Sequence, residues 1–169
     1  MMFMFQTGMR ISEACVVRYE DIIGDEILVQ RMYLDYNGEI ADRTKGLFGD
    51  RIIPLTSKAK ELIEESRTRQ QEEGVSDCGY IFSMTEEPVP YGELRKSFYK
   101  ACNKLGFNPK SSHKARKTFI STLIDAGVNI NTIREIVGHG DERTTYNSYC
   151  FDRSEKADRL EIIDNALSI

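Results

Sequence analysis

Long hydrophobic runs are missing from this chain. No apolar stretch approaches the roughly 18 residues that a membrane-spanning helix needs, which excludes a transmembrane protein. The opening Met-Met-Phe-Met-Phe is too short for a secretory signal and lacks a cleavage pattern. Histidine is scarce, with only His113 and His139. Cysteine is sparse and scattered: Cys15, Cys78, Cys102 and Cys150 form no CxxC pair. That spacing fits neither a disulfide framework nor a zinc site, and it suits a reduced, cytoplasmic protein. No metal site is expected.

The composition is that of a folded domain. The 169 residues are 40% apolar and 30% charged, with aliphatic and aromatic side chains spread throughout, so a disordered or low-complexity chain is excluded. That length builds one domain with a real core. The net charge of −4 hides a segregation. Residues 91–120 carry Arg95, Lys96, Lys100, Lys104, Lys110, Lys114, Arg116 and Lys117 against Glu93 alone. Such a segment offers an attractive surface to phosphate on an otherwise acidic protein, or it is a solvated helix face.

The apolar spacing of Met9, Ile11, Ala14, Cys15 and Val17 predicts a helix from Thr7 to about Tyr19. Glu26 to Tyr33 and Arg51 to Pro54 read as strands, with a hairpin signal at Asn37-Gly38 between them, so a small antiparallel sheet of two or three strands is expected. Helices are expected from Thr56 or Ser57 to Glu73, from Tyr91 to Leu105, from Ser112 to Ala126, and from Asn129 or Asn131 to Gly138. Tyr80 to Ser83 reads as a short extended piece. A short helix over Arg143 to Tyr149 and a last one over Asp152 to Leu167 complete an α+β, mostly helical domain.

The segment Ser112 to Phe119 is the most informative. His113, Arg116 and Lys117 fall at i, i+3 and i+4, on one side of a helix, opposite the apolar stripe Phe119, Ile120, Leu123 and Ile124. A helix start bearing a histidine and cations favours an anion through its free N–H groups and dipole. Alone, the segment would read as a solvent-exposed basic turn. It is accompanied by Thr7-Gly8-Met9-Arg10-Ile11-Ser12-Glu13, by Lys45 ahead of Arg51-Ile52-Ile53-Pro54-Leu55, by Val137-Gly138-His139, and by Tyr149 ten positions after His139.

In that order and spacing the chain resembles the catalytic domain of a tyrosine recombinase of the phage integrase family. Thr7 to Glu13 match the family's first arginine motif and Lys45 its β-hairpin lysine. His113 and Arg116 match the His-x-x-Arg box, and Val137 to His139 the Leu-Gly-His box. Lys117 stands where the family often has histidine. Lys45 lies slightly farther from its Ile-Pro than in many members. The family normally carries a DNA-binding domain ahead of the first motif, and six residues precede Thr7. Residues 1–169 are therefore expected to be a fragment or an isolated catalytic domain, with 152–169 as a helical tail.

The resemblance implies site-specific recombination or integration, by cutting and rejoining double-stranded DNA in the bacterial cytosol or nucleoid. Tyr149 would attack phosphorus and form a 3′-phosphotyrosine. Arg10 and Arg116 would grip the non-bridging oxygens, because guanidinium matches phosphate with paired donors and keeps its charge. Lys45 would protonate the departing 5′ oxygen. His113 would take the tyrosine proton or hydrogen-bond the phosphate, and His139 would donate to a phosphate oxygen. Glu13 reads as a partner that orients an arginine, or as an ordinary first-turn acid.

A homo-oligomer, a tetramer on DNA and a monomer or weak dimer when free, is also implied. Its tail either packs on its own domain or docks on a neighbouring protomer. Tyr146, three residues before Tyr149, is the rival nucleophile. Tyr19, Tyr33, Tyr36, Tyr80, Tyr91 and Tyr99 read as packing residues. A type IB topoisomerase-like nicking and rejoining enzyme shares the constellation, and an inactive DNA-binding module is the reading from another class.

Overall fold

The computed structural model describes residues 1–34, 38–41, 50–75 and 79–138. Two short helices, α1 (Met2–Thr7) and α2 (Ile11–Ala14), lead into a 3-10 turn at Tyr19–Asp21. Five strands follow: β1 (Ile22–Ile23), β2 (Glu26–Val29), β3 (Met32–Tyr33), β4 (Ile40–Ala41) and β5 (Arg51–Pro54). Then come helices α3 (Ser57–Glu72), α4 (Tyr91–Lys104), α5 (His113–Asp125) and α6 (Ile130–Val137).

The strands form because their side chains alternate between core and solvent. In β2, Ile27 and Val29 are buried and Glu26 is exposed; in β5, Arg51 and Ile53 are buried while Ile52 and Pro54 are exposed. β2 is the middle of an antiparallel sheet ordered β1-β2-β5, in which Ile27 faces Ile53 and Val29 faces Arg51. The single strand expected over Glu26 to Tyr33 is corrected: it divides into β2, which pairs with β5, and β3, which pairs with β4 in a separate two-stranded sheet. Asn37 and the glycines Gly46 and Gly49 lie outside the described residues.

The later helices follow their sequence signals. Thr56 caps α3, its hydroxyl oxygen accepting from the Ala59 N–H at 3.1 Å. Asn129 rather than Asn131 caps α6, accepting from the Asn131 N–H at 2.9 Å. The helix expected from Thr7 to Tyr19 is corrected. The chain is helical before Thr7, breaks at Gly8, and resumes for only the four residues of α2. Beyond Ala14 the main chain is claimed by a neighbour. Ile81 donates to the Val17 carbonyl at 3.0 Å and Tyr19 donates to the Gly79 carbonyl at 2.9 Å. β-branched Val17 suits that extended pairing better than a helix interior.

Three apolar clusters hold the elements. Phe3, Met9, Ile27, Ile53, Ala59 and Ile81 join α1, the three-stranded sheet and α3. Met4, Ile11, Ala14, Tyr80, Phe98 and Ala115 join α1 and α2 to α4 and α5. Ile120, Ile133 and Val137 join α5 to α6. Burying each such aliphatic side chain contributes about 1.5–3 kcal/mol. Met9, in the segment between α1 and α2, belongs to the first of these clusters. Among the described residues, no helix is long and apolar enough to cross a membrane, and no group of three or more His, Cys, Asp or Glu could hold a metal ion.

Candidate active site

The turn that carries the first arginine motif starts with glycine for a steric reason. Gly8 has φ 65°, the left-handed conformation that ends α1. A Cβ there would come within 2.5 Å of Phe119 Cδ1 on α5. Only a residue without a side chain lets α5 approach so closely. The Gly8 carbonyl then accepts from Arg116 Nη1 at 2.8 Å.

Arg116 is 1% exposed and belongs to the buried side of α5 with Ala115 and Ile120. Its Nη2 donates to the Val137 carbonyl at the end of α6. One guanidinium therefore bridges the turn before Arg10 and the last residue before Gly138. The spacing that places His113, Arg116 and Lys117 on one side of the helix holds, but that side is a boundary: His113 is exposed, Lys117 half-buried and Arg116 buried.

The second bridge starts from Glu13, which is 2% exposed. Its Oε2 accepts the Arg10 main-chain N–H at 2.7 Å and its Oε1 accepts Arg10 Nη1 at 2.8 Å. Arg51 donates to the same two oxygens, Nη1 to Oε1 at 2.9 Å and Nη2 to Oε2 at 2.8 Å. Arg51 Nε donates to the Ile136 carbonyl at 2.7 Å. Burial alone would push the Glu13 carboxyl up. The hydrogen bonds and charge of Arg51, then the charge and N–H of Arg10, outweigh that and hold it below the usual carboxylate range. Glu13 is thus the orienting partner of an arginine, and a first-turn acid as well.

Arg10 is fixed by Glu13 yet 40% of its side-chain surface faces water. It opens onto a cleft of about 240 Å³ whose walls include Ser12, Tyr91, Ser112, His113 and Arg116. His113 is pushed below the usual imidazole range, first by partial burial and then by the positive charges of Arg116, Lys117, Arg10 and Lys114. At neutral pH its ring is uncharged and can accept a proton or a hydrogen bond. Ser112 precedes α5, and its side chain makes no capping bond to that helix. Lined by guanidinium, imidazole and hydroxyl groups, the cleft suits a tetrahedral anion.

Of the six site residues expected from the sequence, Arg10, His113 and Arg116 meet at this one cleft. Lys45, His139 and Tyr149 lie outside the described residues, as do the rival Tyr146, the helix expected over 143–149 and the tail 152–169. Two further residues belong to the site. Tyr91, read as a packing residue, lines the cleft from the start of α4. Arg51 stands on the inward face of β5, and its signal was available: in the alternation Arg51-Ile52-Ile53-Pro54, the register that buries Ile53 buries the arginine too.

A family model described as the phage integrase family matches residues 1–156. The chain belongs to the phage integrase family. Its curated relatives include the integrase of Staphylococcus phage L54a, 29% identical over 166 residues that cover 90% of this chain and 47% of that protein. A tyrosine recombinase XerC-like protein of Caldanaerobacter subterraneus subsp. tengcongensis is 29% identical over 170 residues, 86% of this chain and 43% of its own. The chain thus spans a little under half the length of these relatives. Among solved structures, the Tn1549 transposon integrase in complex with transposon right end DNA superposes with a TM-score of 0.77 at 22% identity, over 99% of this chain and 57% of that one. XerA recombinase gives a TM-score of 0.69 at 17% identity, over 97% and 56%. These likenesses establish a tyrosine recombinase catalytic-domain fold, mostly helical with small antiparallel sheets.

Proposed function

We propose that this integrase-family chain is the catalytic domain of a site-specific recombinase that cuts and rejoins double-stranded DNA through a 3′-phosphotyrosine. The observation that carries the reading is the convergence of Arg10, His113 and Arg116 on one cationic cleft, from motifs more than a hundred residues apart.

A phosphodiester in that cleft needs its equatorial charge neutralised while a nucleophile and a leaving oxygen stand in line. Arg10, exposed and oriented by Glu13, supplies one guanidinium. Arg116 supplies the second charge at the cleft wall. A phenol is a weak nucleophile until it loses a proton, and an uncharged His113 can accept that proton or hydrogen-bond the phosphate. Tyr149 is assigned as the nucleophile, Lys45 as the acid for the departing 5′ oxygen and His139 as a donor to a phosphate oxygen. The covalent ester conserves the bond energy, so a second 5′-hydroxyl reverses the step without a nucleotide cofactor.

Relatives and structural neighbours named integrase, tyrosine recombinase and transposon integrase in complex with DNA support double-stranded DNA as the substrate. The exposed lysines Lys96, Lys100, Lys104, Lys110 and Lys114 fit contacts to phosphates beyond the cleft. Assembly of a homo-oligomer on DNA, with residues 152–169 packing on the same domain or exchanged between protomers, belongs to the same reading, as does action in the bacterial cytosol.

The test is a nicked duplex that loses a short fragment on cleavage and so traps protein on DNA. The wild-type protein is expected to give a denaturant-resistant adduct, and Tyr149→Phe is expected to bind the duplex without forming one. A wild-type protein that binds but never forms an adduct makes the chain a binding module. Relaxation of a supercoiled plasmid with no joined recombinant would instead favour the topoisomerase-like chemistry.

A further inference from the structure

Resting on that functional reading, we infer that Arg51 is a positioning residue for strand cleavage, holding two separate parts of the phosphate site in register. Through Glu13 it sets the guanidinium of Arg10, and through the Ile136 carbonyl it fixes the end of α6 beside the Val137 carbonyl that Arg116 holds.

The donor pattern carries this. Each carboxylate oxygen of Glu13 is shared between Arg10 and Arg51, so four N–H groups converge on one carboxylate. Without Arg51, the two donors of Arg10 would be those left among the described residues, and the carboxyl would be free to turn with the arginine it holds. The same Arg51 side chain has its Nε on the Ile136 carbonyl, while Arg116 holds the adjacent Val137 carbonyl. Two arginines from different elements thus grip consecutive carbonyls at the end of α6, where a helix terminus has no internal donors and favours positive charge.

The location sharpens the point. Arg51 is 4% exposed in its side chain and faces Val29 across the sheet. An aliphatic residue would fill that inward position without the desolvation cost of a buried guanidinium. What an aliphatic side chain lacks is the rigid fork that reaches a carboxylate with two nitrogens and a carbonyl with a third. The position therefore makes sense as geometry for the cleft rather than as core packing. Lysine keeps the charge there but cannot span the three acceptors.

The test uses the intact protein and a nicked duplex selected with wild type from a pool with randomised flanks. Adduct formation is followed in single turnover at saturating protein, and affinity separately on an unnicked duplex. Arg51→Lys is expected to slow adduct formation by roughly a hundredfold, the scale for an ångström of misplacement, with affinity changed by less than about threefold. A neutral pair, Glu13→Gln with Arg51→Met, removes the two buried charges together, so that the arginine left without its carboxylate is the part-exposed Arg10. It is expected to fold, bind DNA and show the same slow cleavage. A purely structural Arg51 would lower melting temperature while leaving the rate of saturated, folded protein unchanged; wild-type rates in Arg51→Lys or in the neutral pair overturn the inference. Failure of wild type to yield any adduct from the pool overturns the recombinase reading instead, and this inference with it.

Discussion

Arg116 donates to the carbonyl of Gly8 at 2.8 Å, joining residues 108 positions apart in the chain. The bond requires α5 to lie against the turn before Arg10, and the absent side chain of Gly8 permits it. Fold and site therefore share one constraint: the conformation that ends α1 also seats an arginine at the cleft.

Gly8→Ala is expected to destabilise the protein by roughly 2–4 kcal/mol, combining the left-handed penalty of an L-residue with overpacking against Phe119. Urea unfolding checks this. A companion Phe119→Leu change that relieves the contact should recover only the packing share, because the backbone strain at φ 65° persists.

Arg116→Lys leaves one of the two carbonyls, Gly8 or Val137, without its donor. The expected cost is about 1–3 kcal/mol of stability, the usual penalty for an orphaned buried acceptor. Adduct formation should fall by more than stability alone explains, since an ammonium does not reproduce the paired donors of a guanidinium. Comparing single-turnover rates at a temperature where both proteins are folded separates the two effects.

Acid should unfold this protein partly through Glu13. Its folded pKa is depressed, so its contribution is complete above the ordinary carboxylate value near about 4.3 and is lost as pH falls through the lower folded value. Denaturant midpoints measured from pH 7 downwards should drop over that range. Glu13→Gln should start lower at neutral pH, by about 3–5 kcal/mol for a broken buried pair, and show a shallower acid slope.

His113 predicts the pH dependence of cleavage. Partial burial and four neighbouring cations lower its pKa, so the uncharged ring persists below the ordinary imidazole value of about 6.5. Adduct formation that uses His113 as a proton acceptor should stay level as pH falls through that value and decline only at lower pH. His113→Gln should lower the plateau and remove that acid limb from a single-turnover profile.

Most of the architecture was legible in the sequence because its signals are local. Thr56, Asn129, the alternation in β2 and β5, and the terminating glycines each act within a few residues. The helix expected from Thr7 to Tyr19 was misplaced because tertiary pairing of Val17 and Tyr19 with residues 79–81 overrides the local pattern. The arginine and histidine motifs at 10, 113 and 116 could be read as one site because their spacing matches the family. The β5 alternation shows that Arg51 is buried but not what it holds, since its partners Glu13 and Ile136 are 38 and 85 residues away and only packing unites them. Tyr91 looked like any other amphipathic aromatic until α4 placed it at the cleft.

The most direct measurement is the identity of the residue that becomes bonded to DNA. Protein trapped on a nicked duplex, digested and mapped by mass spectrometry, should carry the nucleotide on Tyr149, with a 3′-phosphate ester and a free 5′-hydroxyl on the released strand. Attachment at Tyr146 or any other residue, or release of strands with no protein bonded to them, would contradict the account.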